Sequence, residues 1–336
     1  MTGAAVPYIK MDNIAMWYPY KVGLSRIGRE KLWIKAVDQV SLQMNKGEVL
    51  GIIGESGCGK STLGRVLAGI EHPTHGDLLI EGSSSREMIR LDNKKFRRTV
   101  QIVFQNPFDT FTPRDTIEKI LMRALKLHGI GENQQKRRQI CSEALESGGL
   151  RPAEDILKRY PHELSGGQLQ RISILRAMLF RPKFIIADEP VSMLDVSVRA
   201  VIINMLLELS RQNEAAVVFI SHDISLTRYI SQNVAVMYLG RVVEYGTTDT
   251  VIHNPMHPYT QALISNSPSI DKTRVQHRIK IHGEPPTPIN PGPGCYFAPR
   301  CPRANDQCRR EYPAVVRLQT GQQVACSRLG NVPLAE

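Results

Sequence analysis

Residues 54–61 read Gly-Glu-Ser-Gly-Cys-Gly-Lys-Ser. Glycines let successive backbone N–H groups converge on an anion where side chains would block the approach. A helix starting at the end of such a loop adds its partial positive charge. This chemistry suits capture of a polyphosphate, with Lys60 on the β- and γ-phosphates and the Ser61 hydroxyl on Mg²⁺. Gly54, Glu55, Ser56, Gly57, Cys58, Gly59, Lys60, Ser61 and Thr62 are the candidate cradle. In a second segment, Phe184-Ile-Ile-Ala-Asp188-Glu189, a short apolar run ends in two carboxylates. Asp188 there would hold the metal's water shell, and Glu189 would orient or deprotonate an attacking water. The third segment is Leu164-Ser-Gly-Gly-Gln-Leu-Gln-Arg171. Two glycines ahead of a predicted helix make another anion-binding N-terminus, to which Ser165 adds a hydroxyl.

The elements that must position these groups follow from patterning. Glu48-Val-Leu-Gly-Ile-Ile53 is a buried parallel strand by its apolar run, and Ser61 to Ile70 is helical. Strand character is predicted along 76–104, around Asp77–Glu81 and Val100–Phe104, and again at Phe184–Ala187 and Ala216–Ile220. Helical patterns cover Thr116–Leu157 and Val198–Gln212. Strands alternating with helices imply an α/β fold with a parallel sheet. Composition shifts near 265–270, where a domain boundary is expected. Segment 283–302 is rich in proline and glycine and reads as turns.

The chain has 336 residues, 42% apolar and 22% charged, which is globular composition. Its net charge of +11 suits an anionic partner without choosing among nucleotide, nucleic acid and membrane. No run approaches the roughly 18 apolar residues of a membrane span, and the first residues lack the pattern of a secretory signal. Reduced thiols are therefore expected. Of six cysteines, Cys295, Cys301, Cys308 and Cys326 cluster near the C-terminus, which suggests a metal or iron–sulfur site. Their spacings exceed the two to four residues usual between paired zinc ligands. Cys141 is expected to pack, and Cys58 to be a small residue whose alkylation would block the phosphate loop. His253 and His257 have ligand-like spacing but read as loop histidines beside prolines.

The order of phosphate loop, Leu-Ser-Gly-Gly-Gln and acidic strand end resembles the ATPase subunit of ABC transporters. The resemblance covers essentially the whole chain. It implies a P-loop ABC ATPase: a RecA-like parallel core, an antiparallel β subdomain and a helical subdomain at about 106–165. The ATPase domain would span 1–265, and 266–336 would form a small irregular cysteine-rich extension. It also implies that Gln105 touches Mg²⁺ and the nucleophilic water, that Ser192–Asp195 is the D-loop, with Asp195 a nucleotide-binding candidate, and that His222 contacts the γ-phosphate. The signature residues Ser165, Gly166, Gly167 and Gln168 would cover the γ-phosphate of ATP bound by a partner subunit. Tyr18 is the candidate plate for adenine, with Trp17 and Tyr20 as neighbours able to do the same. Between Tyr18 and Val37 lies a basic insert with Lys21, Arg26, Arg29, Lys31 and Lys35. It reads as a solvated face or as a contact with anionic lipid.

Tyr18-Pro-Tyr-Lys, Asn106-Pro-Phe with Thr112-Pro-Arg114, and His257-Pro-Tyr-Thr-Gln-Ala-Leu263 resemble the second ATPase of dipeptide and oligopeptide permeases. Asp109–Phe111 departs from that group's usual Ser-Leu-Asn, and Leu169 stands where arginine is commoner. For this group the resemblance implies a heterodimer with a related ATPase and two membrane permease subunits. An extracytoplasmic solute-binding protein would take part indirectly, and the chain would be peripheral on the cytoplasmic face. ATP and Mg²⁺ are the implied cofactors. A [4Fe–4S] cluster on the four cysteines is implied too, with structural zinc and metal-free thiols as alternatives, and basic residues at 300, 303, 309 and 310 offsetting the thiolates. Tyr160-Pro-His-Glu163 would pass the nucleotide state to the membrane partner. A soluble ABC ATPase acting on nucleic acid is the rival class, but one ATPase module without sustained heptads argues against it. A module whose nucleotide is purely structural is argued against by Glu189.

Overall fold

The computed structural model describes residues 6–20, 31–267 and 278–329. Lys21, Arg26 and Arg29 of the basic insert lie outside the described residues. The chain divides into two compact units, Met1–Ser85 with Val218–Glu336, and Arg86–Val217.

The first unit opens with β1 (Ile9–Tyr20), β2 (Leu32–Met44), β3 (Val49–Ile53), α1 (Lys60–Leu67), β4 (His75–Ile80) and β5 (Ser83–Ser84). Strands β2-β1-β4-β5 form an antiparallel sheet. Every residue of β3 is buried, as its apolar run requires of a parallel strand covered on both faces.

The second unit carries α2 (Ser85–Thr99), β6 (Val100–Val103), α3 (Ile117–Leu127), α4 (Gln134–Ser147), α5 (Ala153–Lys158), α6 (Gly166–Met178), β7 (Phe184–Asp188) and α7 (Val196–Gln212). β6 and β7 pair in parallel, Ile102 opposite Ile186. Helices α3 to α6 close around Leu121, Leu125, Cys141, Leu145, Leu157 and Leu169. The commoner arginine at position 169 would thus be replaced by a core residue, fully buried here. The strand character expected along 76–104 is interrupted by α2. This helix is highly charged, and the non-helical backbone of Asp92 breaks it. The helical stretch over 116–157 is three helices, α3 to α5.

The chain returns to the first unit within β8 (Ala216–Ile220), followed by α8 (Ile224–Ile230), β9 (Asn233–Tyr238), β10 (Arg241–Thr247), α9 (Thr248–His253) and α10 (Pro258–Ser265). The tail adds α11 (Asp306–Arg310), β11 (Val316–Arg317) and β12 (Gln323–Val324). Here the sheet order is β11-β12-β10-β9-β3-β8, with β3 and β9 parallel. The unit therefore runs through the composition shift at 265–270. β12 pairs with β10, Glu244 opposite Val324. The proline-rich segment lies along β2, where the Lys35 N–H donates to the Pro288 carbonyl at 3.0 Å and the Asn290 N–H to that of Trp33 at 2.8 Å. Phe297 enters the core 5.1 Å from the Tyr238 ring and 5.3 Å from that of Tyr259.

An ion pair secures this junction. Arg241 bonds Asp38 at 2.8 Å, and the Tyr296 hydroxyl donates to the same carboxylate at 2.9 Å. The guanidinium lies 3.9 Å from the centre of the Tyr312 ring. Asp38 is 1% exposed, so its charge has little water to fall back on. Arg241→Met should therefore cost about 3–5 kcal/mol by leaving a buried carboxylate uncompensated. Urea denaturation of the full chain checks this, and a cost near zero would show the pair to be dispensable.

Candidate functional site

The phosphate loop joins β3 to α1. Gly54 has φ +157, and a Cβ there would lie 2.3 Å from the Met237 carbonyl oxygen. At Gly59, φ is +103 and a Cβ would lie 2.0 Å from the Ala36 carbonyl oxygen. Only glycine fits either place, so the loop is drawn tight against β9 and β2. The Lys60 ammonium is buried and donates to the carbonyls of Gly54 (2.8 Å) and Glu55 (2.9 Å). Cys58 is 1% exposed with its sulfur 3.7 Å from that ammonium, and burial pushes its thiol pKa up. Cys58 is thus a small residue packed beneath the loop.

The Tyr18 hydroxyl donates to Glu71, whose other oxygen takes the Arg65 Nε–H at 2.5 Å. Arg65 lies in the last turn of α1, so the candidate adenine plate is tied to the helix that the phosphate loop begins. Trp17 instead turns to His75 and Lys35, edge-to-face at 5.1 Å and 4.3 Å beneath the ammonium. Tyr20 is exposed near the end of β1. His222 is exposed between β8 and α8, and its neighbour Asp223 caps α8 by accepting the Leu226 N–H at 3.0 Å.

In the second unit Asp188 ends β7 and is buried. Glu189 follows with φ +46, a left-handed backbone that a non-glycine residue adopts at a cost. The Ser192 N–H and hydroxyl both donate to its carbonyl, at 3.2 and 3.1 Å, and hold it there. Its carboxylate accepts the Gln105 side-chain amide at 3.3 Å. Two of the residues expected to handle water thus meet directly. The Ser61 hydroxyl in the first unit, and the Gln105 amide oxygen and Asp188 carboxylate in the second, are each the kind of oxygen donor a hard divalent cation such as Mg²⁺ takes.

The two signature glycines form the first turn of α6 rather than preceding it. Ser165 caps the helix: its hydroxyl accepts the Gln168 N–H at 3.3 Å, and the Gln168 side chain accepts the Ser165 N–H at 3.0 Å. This reciprocal box satisfies the N–H groups of Ser165 and Gln168. A Cβ on Gly167 would lie 2.9 Å from Val198. Gly166, Gly167, Arg171 and Asp195 help line a cavity of about 360 Å³ within this unit. Beside it Met193 and Val196 are 61% and 79% exposed.

Cysteines 295, 301, 308 and 326 gather in the tail, where burial, and after it the charges of Cys301 and Cys308, push the Cys326 thiol up. Burial raises Cys295 to about 11, whereas hydrogen bonds at Asn305 and Ser327, with the Arg328 charge, outweigh burial at Cys308 and lower it. Four thiols suit a soft metal centre in chemistry. In geometry they fall short, for among the described residues no three His, Cys, Asp or Glu side chains come together as a metal site. Of the cations expected to offset them, Arg303 faces Cys301, but Arg300 turns away to the Glu55 carboxylate at 2.7 Å. Arg328 does take part and carried no sequence signal. The histidine pair serves structure: His257 caps α10, accepting the Tyr259 N–H at 3.1 Å, and burial lowers it to about 3. His253 meets Arg228 at 2.9 Å. Cys141 is fully buried in the helical core.

Residues 37–192 match the ABC transporter family, and residues 243–308 match the C-terminal region of oligopeptide/dipeptide transporters. The dipeptide transport ATP-binding protein DppF of Haemophilus influenzae is 42% identical, covering 95% of this chain and 96% of its own length. The oligopeptide transport ATP-binding protein AppF of Bacillus subtilis is likewise 42% identical over 95% of this chain and 96% of its own. A solved ATP-binding cassette, dimeric in a post-hydrolysis state with ADP and Pi, is 28% identical. It superimposes with a TM-score of 0.61 over 71% of this chain and 98% of its own. On the phosphate loop, the signature and the fold around them, the chain belongs to the ABC transporters, among the ATP-binding subunits of the dipeptide and oligopeptide transport group.

Proposed function

We propose that this chain is one of two related ATPase subunits whose closure on ATP drives uptake of peptides or a chemically related solute through two membrane permease subunits. The observation that carries the reading is the signature cradle. It is formed within the second unit beside exposed Met193 and Val196, and lies at the N-terminus of α6. Such a surface is completed by a second subunit carrying ATP on its own phosphate loop. Among the described residues no helix is long and apolar enough to cross a membrane. A peripheral place on the cytoplasmic face, against permease subunits, fits that observation. The relatives named for dipeptide and oligopeptide transport support the solute class. A solute-binding protein would act indirectly.

The chemistry follows from the residues. On ATP entry Lys60 exchanges two backbone carbonyls for phosphate oxygens. The hydroxyl of Ser61, with Gln105 and Asp188, would hold Mg²⁺, which neutralises phosphate charge when bound. Glu189, steadied by Gln105, takes the proton of the attacking water, and His222 bonds the γ-phosphate. Tyr18 stacks on the base.

Glu189→Gln should keep ATP affinity and lose about 10²–10⁴-fold in turnover, the range for a missing general base. Steady-state ATPase assays of the assembled transporter decide it, and wild-type turnover would remove Glu189 from the mechanism.

Ser165→Arg tests the shared site. Nucleotide binding by the isolated chain should be nearly unchanged while ATPase activity of the full transporter falls. Equal loss of binding in the isolated chain would put the signature at its own subunit's nucleotide.

The four tail cysteines are proposed to hold a [4Fe–4S] cluster of structural rather than catalytic role. Supporting it are the all-thiol donor set and the gathering of the four in one small lobe; the thiols must draw closer to hold it. Anaerobically purified protein should carry about four iron and four acid-labile sulfide per chain. Cys301→Ser should bleach it and loosen the tail to proteolysis while ATP binding persists. Colourless protein with one zinc per chain would replace the cluster by a structural zinc.

A further inference from the structure

Glu55 places a carboxylate inside a loop built to receive a polyphosphate. Left bare, that charge would repel ATP and compete for the Lys60 ammonium. Its partner comes from 245 positions along the chain. Both terminal nitrogens of Arg300 reach it, at 2.7 and 3.1 Å to its two oxygens, as a planar fork. The remaining donors of the guanidinium are also occupied. Nη1 reaches the Tyr238 hydroxyl at 3.3 Å, Nη2 the Gly283 carbonyl at 2.8 Å and Nε that of His282 at 3.4 Å. The Arg300 side chain is 7% exposed, so the fork is set rather than fluctuating in water. Arg300 ends a single turn of helix that begins beside Phe297, the aromatic plug of the core. Phe297 packs on Tyr259, whose hydroxyl accepts the Glu55 N–H at 2.8 Å. Glu55 is thus held by its backbone N–H, by its carbonyl on Lys60 and by its carboxylate on Arg300.

We propose that Arg300 is a positioning residue for ATP: from the cysteine-rich tail it neutralises and fixes Glu55 of the phosphate loop, so that docking of the tail sets the loop's affinity for nucleoside triphosphate. The inference uses the arginine and not whatever the cysteines hold. It also explains why a basic residue adjoining Cys301 points away from the thiols. A lysine could supply the charge but not the fork.

The test is nucleotide binding by the full chain, with ATP and ADP as probes. Arg300→Met should weaken ATP by about tenfold or more, and ADP less, because repulsion scales with the charge of the nucleotide. Arg300→Lys should fall between. In the assembled transporter the rise in KM for ATP should exceed any fall in kcat. Glu55→Gln in the Arg300→Met background should restore ATP binding to within about threefold of wild type, since the repelling charge has gone. A purely structural staple predicts the opposite, a double variant no better than the single one and equal losses for ATP and ADP. Either of those results, or wild-type ATP affinity in Arg300→Met, overturns the proposal. Should Arg300→Met fail to fold, Arg300→Lys decides: weaker ATP than wild type supports it, and an unchanged affinity overturns it.

Discussion

A carbonyl oxygen stands where the side chain of residue 59 would be, and another where that of residue 54 would be. These two approaches, from Ala36 on β2 and Met237 on β9, press the phosphate loop between strands of different sheets. The loop's N–H groups can face a polyanion only because the backbone is bent through glycine conformations at both points. Everything in the first unit serves that clamp. β3 and β9 pair in parallel beneath it, α1 leaves from its end, and the Gly240 N–H donates to the Cys58 carbonyl at 2.8 Å. A tight loop has a charge problem as well as a steric one. Lys60 and Glu55 sit within it with opposite sign, and Arg300 changes the balance in favour of an anionic guest.

Strain is spent differently in the second unit. The Glu189 carboxylate, proposed to act on water, is carried on a left-handed residue, held by two bonds from Ser192 to its carbonyl. This re-aims Glu189 relative to Asp188, so that consecutive carboxylates at one strand end need not share a direction. One can face a cation and the next a water. Gln105 supplies the direct restraint on the side chain.

How much of this could be read from the chain depended on the range of each interaction. β3, β7 and β8 are buried on both faces, so their sequences are unbroken apolar runs, and their ends place the phosphate loop and the acidic pair. The candidate nucleotide motifs are legible for the same reason: each is a short segment whose chemistry is contained in its own spacing. Helix α2 is hard to read because Ser85–Thr99 is mostly charged and broken at Asp92, with only Met88, Ile89, Leu91 and Phe96 as large apolar residues between the strands on either side. The tail's partners are harder to read. Its prolines and glycines read as turns, and its backbone bonds to β2 and its last strand to β10. Those partners lie hundreds of positions away, and no pattern within 283–302 encodes them. Arg300 reads as a counter-charge for the thiols beside it because its true partner, Glu55, lies 245 positions away. The cluster expected on those thiols likewise rested on their spacing and on resemblance, and their placement gathers them without closing a metal site.

β12 covers the outer side of β10, and the rings of Tyr238 and Tyr259 meet Phe297 rather than solvent. A chain cut after α10 would keep every nucleotide motif and still be a poor reagent. β10 would become a free sheet margin offering unpaired N–H and C=O groups, next to an uncovered aromatic socket. Such margins recruit other strands, including those of identical molecules. The excised cassette should therefore be handled as an aggregation-prone fragment, however complete its phosphate loop looks on paper.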